Sequence, residues 1–419
     1  LDKLVIEGGH ELKGSIRVSG AKNAALPILA AVILADGEFQ ISEAPELVDI
    51  DTMLKLLKEL GISSKREGRT VSLKSKNNKN KIEAPYELVK TMRASVLTLG
   101  PLVARKGRAR VSLPGGCAIG ERPVDLHLKA LEAMGAEIKM EHGYVEAVCE
   151  RLKGAEITFD IVTVTGTENI MMAATLADGV TVLRNAAQEP EVVDLARFLK
   201  KMGADIEGEG TKEIRIKGMK SLNSADYIVM PDRIEAGTFI CCVAGAGGEI
   251  ELTNVPVQQM RTTLDKLSEA GLEIEKLNDT TLRVKKTKTL CATDITTLPY
   301  PGFPTDMQAQ FMAVMACSEG VSVATETIFE NRFMHVGELK RMGANINLKD
   351  KSAIIKGVGK LTGAPVMASD LRASASLVIA GLMAEGETVV SRLYHLDRGY
   401  EHFEEKLTGV GAKLKRVKE

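Results

Sequence analysis

Apolar residues at Met53, Leu54, Leu56, Leu57 and Leu60 keep the three-to-four-residue spacing of a helix with one buried face, and Gly61 closes the run. A glycine directly after the last periodic residue predicts a left-handed helix C-cap. The same ending recurs six times, at Leu60-Gly61, Met134-Gly135-Ala136, Met202-Gly203-Ala204, Ala270-Gly271, Met342-Gly343-Ala344 and Val410-Gly411-Ala412. Successive glycines stand 74, 68, 68, 72 and 68 residues apart, a period that marks an internal repeat. Two short strands are predicted after each glycine. Before each amphipathic helix lies another that is apolar nearly all round, as in residues 371–381, followed by a glycine turn and a β-rich run such as Glu387-Thr388-Val389-Val390. A helix of that kind has to be buried, whereas its amphipathic partner faces water on one side.

The unit therefore reads strand-helix-strand-helix-strand-strand, an α/β pattern. It is twice the usual solenoid period and holds its own strand pairing, so closed domains of three units fit better than a linear stack. The expected boundary lies near 227–230, and residues 4–19 are placed to complete the C-terminal half. This gives one domain over 22–230, carrying a loop around Cys117, and a second formed by 1–21 with 231–419, carrying Asp306 and an arginine cluster.

At 419 residues and 44% hydrophobic content the chain has material for two cores. Its 55 Lys and Arg nearly cancel 56 Asp and Glu, so an anion site has to be a local cluster and no nucleic acid partner is expected. Aromatic residues at 4% and the absence of Trp weigh in the same direction. The six cysteines show no C-x-x-C spacing and the six histidines no H-E-x-x-H, so no metal is expected. The opening Leu1-Asp2-Lys3-Leu4-Val5-Ile6 has no basic start or apolar signal core. The apolar run 24–34 is broken by Pro27, short of the ~20 residues that cross a bilayer. A cytoplasmic location without membrane contact is the expectation.

The repeats differ from one another in charge where their buried helices begin. Those first turns hold Lys22-Asn23, Arg93, Glu168-Asn169, Arg233 with Glu235, Asp306, and Asp370 with Arg372. The positive end of a helix dipole disfavours cations, so cations there point to ligands, and the free N–H groups of helix starts favour anions. Arg122, Arg332 and Arg398 precede three of the amphipathic helices. One such arginine is a solvated cap; Arg122, Arg332 and Arg398 together with Lys22, Arg93 and Arg372 suggest a cleft for substrates bearing carboxylate and phosphate. Neither G-x-x-x-x-G-K-[ST] nor G-x-G-x-x-G is present, which disfavours ATP hydrolysis and hydride transfer. Cys117 lies in Pro114-Gly115-Gly116-Cys117-Ala118-Ile119-Gly120-Glu121-Arg122-Pro123, within the longest repeat. Alone it would read as a small buried hydrophobe. Among these cations it is a candidate acid on a lid, with Asp306 as a candidate base that doubles as a helix N-cap.

These residues resemble the UDP-N-acetylglucosamine 1-carboxyvinyltransferases of the EPSP synthase superfamily. The resemblance runs end to end through Ser19-Gly20-Ala21-Lys22-Asn23-Ala24-Ala25-Leu26-Pro27, Met92-Arg93-Ala94-Ser95, the Cys117 loop to His127, Phe303-Pro304-Thr305-Asp306-Met307-Gln308, Glu330-Asn331-Arg332-Phe333-Met334-His335, Asp370-Leu371-Arg372-Ala373-Ser374 and His395-Leu396-Asp397-Arg398-Gly399-Tyr400. It implies a two-domain inside-out α/β barrel of six βαβαββ repeats. It also implies transfer of the enolpyruvyl group of phosphoenolpyruvate to the 3′-hydroxyl of UDP-N-acetylglucosamine without a cofactor. Cys117, Asp306, Lys22 and Arg398 are the implied catalytic residues. Lys22, Asn23, Arg122, Arg332, Arg372 and Arg398 are implied for phosphoenolpyruvate. Asn23, Arg93, Arg122, Pro123, Val124, Asp125, Leu126, Val164, Gly166, Asp306 and Ile328 are implied for the UDP-sugar. Fosfomycin is implied as a covalent inhibitor at Cys117.

One segment departs from the pattern of many relatives. Val162-Thr163-Val164-Thr165-Gly166-Thr167-Glu168-Asn169 lacks the lysine that they carry in a Lys-Val-Ser-Val-Gly run beside the uridine. Two other readings remain: 5-enolpyruvylshikimate-3-phosphate synthase, which lacks the Gly-Gly-Cys lid, and a non-catalytic UDP-sugar-binding regulator, which would not need Cys117, Asp306 and Lys22.

Overall fold

Each of the six periodic glycines sits at positive φ, between 91° and 101°, in the computed structural model, which describes residues 2–76, 80–90, 92–112 and 124–418. The residue after each glycine donates its N–H to the carbonyl of a leucine in the last helical turn. The pairs are Ile62 to Leu57 at 2.9 Å, Ala136 to Leu131 at 3.0 Å, Ala204 to Leu199 at 2.9 Å, Leu272 to Leu267 at 3.1 Å, Ala344 to Leu339 at 3.0 Å and Ala412 to Leu407 at 3.1 Å. All twelve residues are buried. This is the Schellman closure, in which one bond satisfies an orphan carbonyl and two apolar side chains seal the end. The glycine period was legible in the chain; the matching leucine before each glycine is the other half of the same signal.

Six four-stranded sheets form among the described residues. In one, Glu156–Thr158 lies parallel to Val180–Arg184, which pairs antiparallel with Glu213–Lys217, itself paired with Asp205–Glu207. Parallel neighbours need a crossover, and the buried helix Val164–Ala174 supplies it. The amphipathic helix Pro190–Lys201 then leads to the antiparallel pair. Ile295–Thr296, Val321–Thr325, Asn345–Lys349 and Ser352–Lys356 repeat the arrangement. The mixed α/β class expected from the repeats is the one observed.

Two sheets recruit strands from the start of the chain. Asp2–Glu7 lies between Glu387–Ser391 and Lys413–Lys418, antiparallel to both, and Leu12–Arg17 runs parallel to Gly248–Thr253. A third sheet is completed late, by Tyr227–Ile228 beside Gly37–Ser42. The described chain accordingly divides into two compact units, residues 2–19 with 231–418 and residues 20–230.

Each unit encloses three apolar helices. In the unit of residues 20–230 they are Lys22–Ala31, Val164–Ala174 and Leu99–Lys106, the last apolar and buried only from Leu99 to Val103. In the other they are Arg233–Ala246, Gln308–Met315 and Leu371–Met383, which pack on one another. Every residue from Ile234 to Ala244 is buried, as expected of a helix with no polar face. Close packing needs small residues: a Cβ on Gly100 would fall 2.4 Å from Oδ1 of Asn169, which instead accepts the Gly100 N–H at 2.8 Å.

The segments that join the units are tied within each unit by carboxylates. Ser19 N–H donates to Glu235 at 2.5 Å, and Lys406 donates to Glu235 at 2.7 Å and to the Ser19 hydroxyl at 2.6 Å. That hydroxyl donates to Glu401 at 2.5 Å. Burial pushes the Glu235 carboxyl up to about 7 against the pull of Lys406. In the other unit Asp194 accepts from Met230 N–H at 3.1 Å and from the Tyr227 hydroxyl at 2.8 Å, and burial pushes it up to about 6. No helix among the described residues is long and apolar enough to cross a membrane.

Candidate active site

Asp306 opens the fifth repeat's buried helix, in the single 3-10 turn Thr305–Met307 that leads into Gln308–Met315. It is not the N-cap that its position suggested, for that turn begins after Pro304 and has no side-chain cap. Its carboxylate is instead clasped by two guanidiniums. Oδ1 lies 2.8 Å from Nη2 of Arg332, and Oδ2 lies 2.8 Å from Nη2 of Arg372. Burial opposes ionisation of Asp306, but the charges of Arg372 and Arg332 and the hydrogen bonds that they donate hold it well below the ordinary carboxylate range.

The two arginines come from different elements, and each is fixed by a second partner. Arg372 stands in the first turn of Leu371–Met383, whose N-cap Asp370 accepts from the N–H groups of Arg372 at 2.9 Å and Ala373 at 3.0 Å. Its Nη1 donates to the Tyr400 hydroxyl at 3.1 Å. Arg332 donates from Nη1 to the Thr305 hydroxyl at 2.9 Å, and Gln308 donates to the Arg332 carbonyl at 3.0 Å. Both side chains are nearly inaccessible, at 6% and 3% exposure, yet the Nε–H of each has no acceptor among the described residues. Buried guanidinium donors left over beside a single carboxylate give the cluster capacity for a further anion. Arg398 lies in the Leu393–Arg398 turn, which packs on the Leu371–Met383 helix, and Ile328 is half-buried in the segment leading to Arg332.

In the unit of residues 20–230, Lys22 is the first residue of its helix and pairs with buried Asp49 at 3.2 Å, while Asn23 is exposed beside it. Arg93 begins the 3-10 turn Arg93–Thr98. Val124 precedes the helix Asp125–Ala133, in which Asp125 is exposed and Leu126 buried. His127 in that helix joins it to the Val164–Ala174 helix. Asn169 spends one amide hydrogen on the Val96 carbonyl at 3.1 Å and the other on Nδ1 of His127 at 2.9 Å. Nδ1 must therefore be the acceptor. Burial, with Arg93 adding to it, pushes the His127 pKa down to about 4, so the neutral ring carries its proton on Nε2, 3.4 Å from the Thr165 hydroxyl. The helix that carries Asp125 and Leu126 thus packs on the one that carries Val164 and Gly166, where Thr163 accepts the Gly166 N–H at 3.2 Å.

Cys117, Arg122 and Pro123 lie outside the described residues. Burial pushes the thiols of Cys241, Cys242 and Cys317 up, which sets those three apart from a poised thiol.

The family described as EPSP synthase (3-phosphoshikimate 1-carboxyvinyltransferase) matches residues 6–407. The chain is 59% identical over 419 residues to a UDP-N-acetylglucosamine 1-carboxyvinyltransferase of Nitratidesulfovibrio vulgaris (strain DP4), and 57% identical over 420 residues to the one of Trichlorobacter lovleyi, with all of each chain covered. It belongs to the UDP-N-acetylglucosamine 1-carboxyvinyltransferase family, within the EPSP synthase superfamily. Among solved structures, the enolpyruvyl transferase NikO from Streptomyces tendae superposes with a TM-score of 0.89 at 26% identity over 99% of both chains. EPSP synthase from Acinetobacter baumannii superposes at 0.78 and 21% identity over the whole of both, which speaks for the fold.

Within this enolpyruvyl transferase framework, sequence reasoning singled out Asp306, Arg332 and Arg372, which meet in space. It missed the groups that hold them: Thr305, Tyr400 and Glu326. It also missed the Asn169 and His127 pair. For that pair the available signal was an amide leading an apolar run, Asn169 before Ile170-Met171-Met172, since a buried amide has to find partners.

Proposed function

We propose that this chain transfers the enolpyruvyl group of phosphoenolpyruvate to the 3′-hydroxyl of UDP-N-acetylglucosamine, releasing phosphate, as the first committed step of peptidoglycan synthesis in the cytoplasm. The observation that carries this reading is the end-to-end identity of 57–59% with enzymes named for that transfer. Lys22, Arg122 and Arg398 hold the phosphate, and Arg332 and Arg372 face the carboxylate. Asn23 meets the reacting sugar region. Arg93, the segment 122–126, Val164, Gly166, Asp306 and Ile328 contact the UDP-sugar.

In the addition step the 3′-oxygen bonds to C2 of phosphoenolpyruvate, its proton passes to Asp306, and Cys117 gives its thiol proton to C3. In the elimination step C3 returns a proton to the Cys117 thiolate and phosphate departs with the proton held by Asp306, which restores the double bond in the product and both groups in the enzyme. A thiol near its ordinary pKa of ~8.5 keeps that proton at neutral pH. A carboxylate clasped by two guanidiniums is a weak base, and the clasp has a chemical consequence. Phosphoenolpyruvate is an anion that the same arginines bind, so its arrival shares out their charge and raises the basicity of Asp306 as the acceptor is needed. The base is therefore weak until the donor is bound.

The test is phosphate release measured with each substrate alone and with both. Release only with phosphoenolpyruvate and UDP-N-acetylglucosamine together is expected; no release, or equal release with shikimate 3-phosphate, overturns the assignment. A second expected outcome concerns fosfomycin, whose epoxide is opened by a thiolate to leave a thioether. Peptide mass spectrometry should find the adduct on Cys117. Exposed Cys291 is the built-in control, and modification there in preference to Cys117 would refute the role given to Cys117.

A further inference from the structure

Glu326 is a fully engaged carboxylate behind the Asp306 cluster, at 2% exposure. Its Oε1 accepts from the Thr297 hydroxyl at 2.7 Å and from the N–H groups of Ile328 at 2.8 Å and Phe329 at 3.1 Å. Its Oε2 accepts from the Thr305 hydroxyl at 2.9 Å. A threonine hydroxyl has a single proton, and Thr305 spends it on Glu326. The Thr305 oxygen is then oriented with its lone pairs toward Nη1 of Arg332, which donates to it at 2.9 Å. The other amino group of Arg332 meets Asp306 at 2.8 Å. Directional hydrogen bonds thus run from Asp306 through Arg332 and Thr305 to Glu326. The same carboxylate anchors the backbone of Ile328.

We propose that Glu326 is a positioning residue of the transfer reaction, setting the aim of Arg332 and Asp306 through one oxygen and the placement of the Ile328-Phe329 segment through the other. The proposal rests on the function assigned above. A purely structural glutamate would have no reason to divide its oxygens between the loop that carries the candidate base and the loop that carries a candidate UDP-sugar contact. Thr297 adds a third tether, since its hydroxyl also accepts the Thr327 N–H at 2.9 Å while donating to Glu326. The two loops are therefore fastened to one point, and a displacement of either is felt by the other.

The two oxygens can be separated by substitution. In Glu326→Gln the amide oxygen must face Thr297, Ile328 and Phe329, because the opposite orientation would set an NH2 against two N–H donors. The NH2 then faces Thr305, whose proton loses its acceptor, and the aim of Arg332 is released while the Ile328 segment stays held. Glu326→Ala releases both. For Glu326→Gln the expected result is a kcat lowered about tenfold, with KM for UDP-N-acetylglucosamine within twofold of wild type and thermal unfolding unchanged. Glu326→Ala is expected to lower kcat similarly and also to raise that KM severalfold. Thr305→Val, which breaks the same chain one link nearer Arg332, should lower kcat and gain no further loss when combined with Glu326→Gln. A Glu326→Gln enzyme with wild-type kcat, or a double variant whose losses multiply, would overturn the positioning role while wild-type turnover still stood. Wild-type protein silent with both substrates would overturn the function itself and this role with it.

Discussion

Asp306→Asn is expected to lower kcat by roughly 10²–10⁴-fold, the usual contribution of a positioned general base, while the protein still folds and binds the UDP-sugar. The substitution keeps the size of the side chain and one acceptor, so either Arg332 or Arg372 keeps a partner. It removes the proton acceptor and the charge at once. Two nearly inaccessible guanidiniums would then face each other across a neutral amide, with their Nε–H groups already unsatisfied. The loss in kcat should therefore come with tighter binding of phosphoenolpyruvate, because an anion now relieves two like charges instead of competing with a carboxylate. Pre-steady-state turnover and equilibrium titration with phosphoenolpyruvate separate the two effects. A variant with full kcat would remove Asp306 from the chemistry, and weaker binding of phosphoenolpyruvate would count against the competition between ligand and base.

Lys406→Met is expected to cost about 3–5 kcal/mol of stability at pH 8, the range for stripping one partner from a buried ionic cluster. Lys406 donates to Glu235 and to Ser19 and lies 3.8 Å from Glu401, and both glutamates are 2% exposed. The pH dependence has a defined sign. Glu235 titrates at about 7 in the folded protein against an ordinary 4.5, so the fold favours its protonated form. That contribution to stability is fully present below pH 4.5 and is lost as pH rises through 7. The cost of losing Lys406 should accordingly be small near pH 5 and grow toward pH 8. Denaturant unfolding of wild type and variant across that span provides the test, and a pH-independent difference would refute the coupling. Glu235→Gln in the same background should remove most of the growth.

The repeat was legible because a Schellman closure needs a residue tolerant of positive φ, and glycine fills that place in all six copies. The order of elements within the unit, strand-helix-strand-helix-strand-strand, was legible for the same reason, since each element carries its own local pattern. The recruitment of Tyr227–Ile228 to the sheet of Gly37–Ser42 was not legible, since two residues carry too little pattern to show a distant partner. The candidate site divides in the same way. Cations at helix starts stood out as violations of dipole preference, and the structure brings Arg332 and Arg372 onto Asp306. The supporting acid Glu326 and the hydroxyl of Tyr400 break no rule of sequence, because a buried acid and a buried phenol become visible only when their partners are seen. The reading of Asp306 as an N-cap failed on geometry: the carboxylate that begins the turn reaches guanidiniums from two other segments instead of its own backbone.

The strand Asp2–Glu7 is held between Glu387–Ser391 and Lys413–Lys418, so the unit that begins the chain cannot be finished until its last strand has been made. The unit of residues 20–230 has no such debt: its final strand, Tyr227–Ile228, emerges midway through synthesis. On the ribosome residues 20–230 are complete first, and Asp2–Glu7 waits through most of translation for its mates. Closing a loop of that span is slow, so the unpaired Asp2–Glu7 and Leu12–Arg17 edges are where a nascent chain is most in need of chaperone cover.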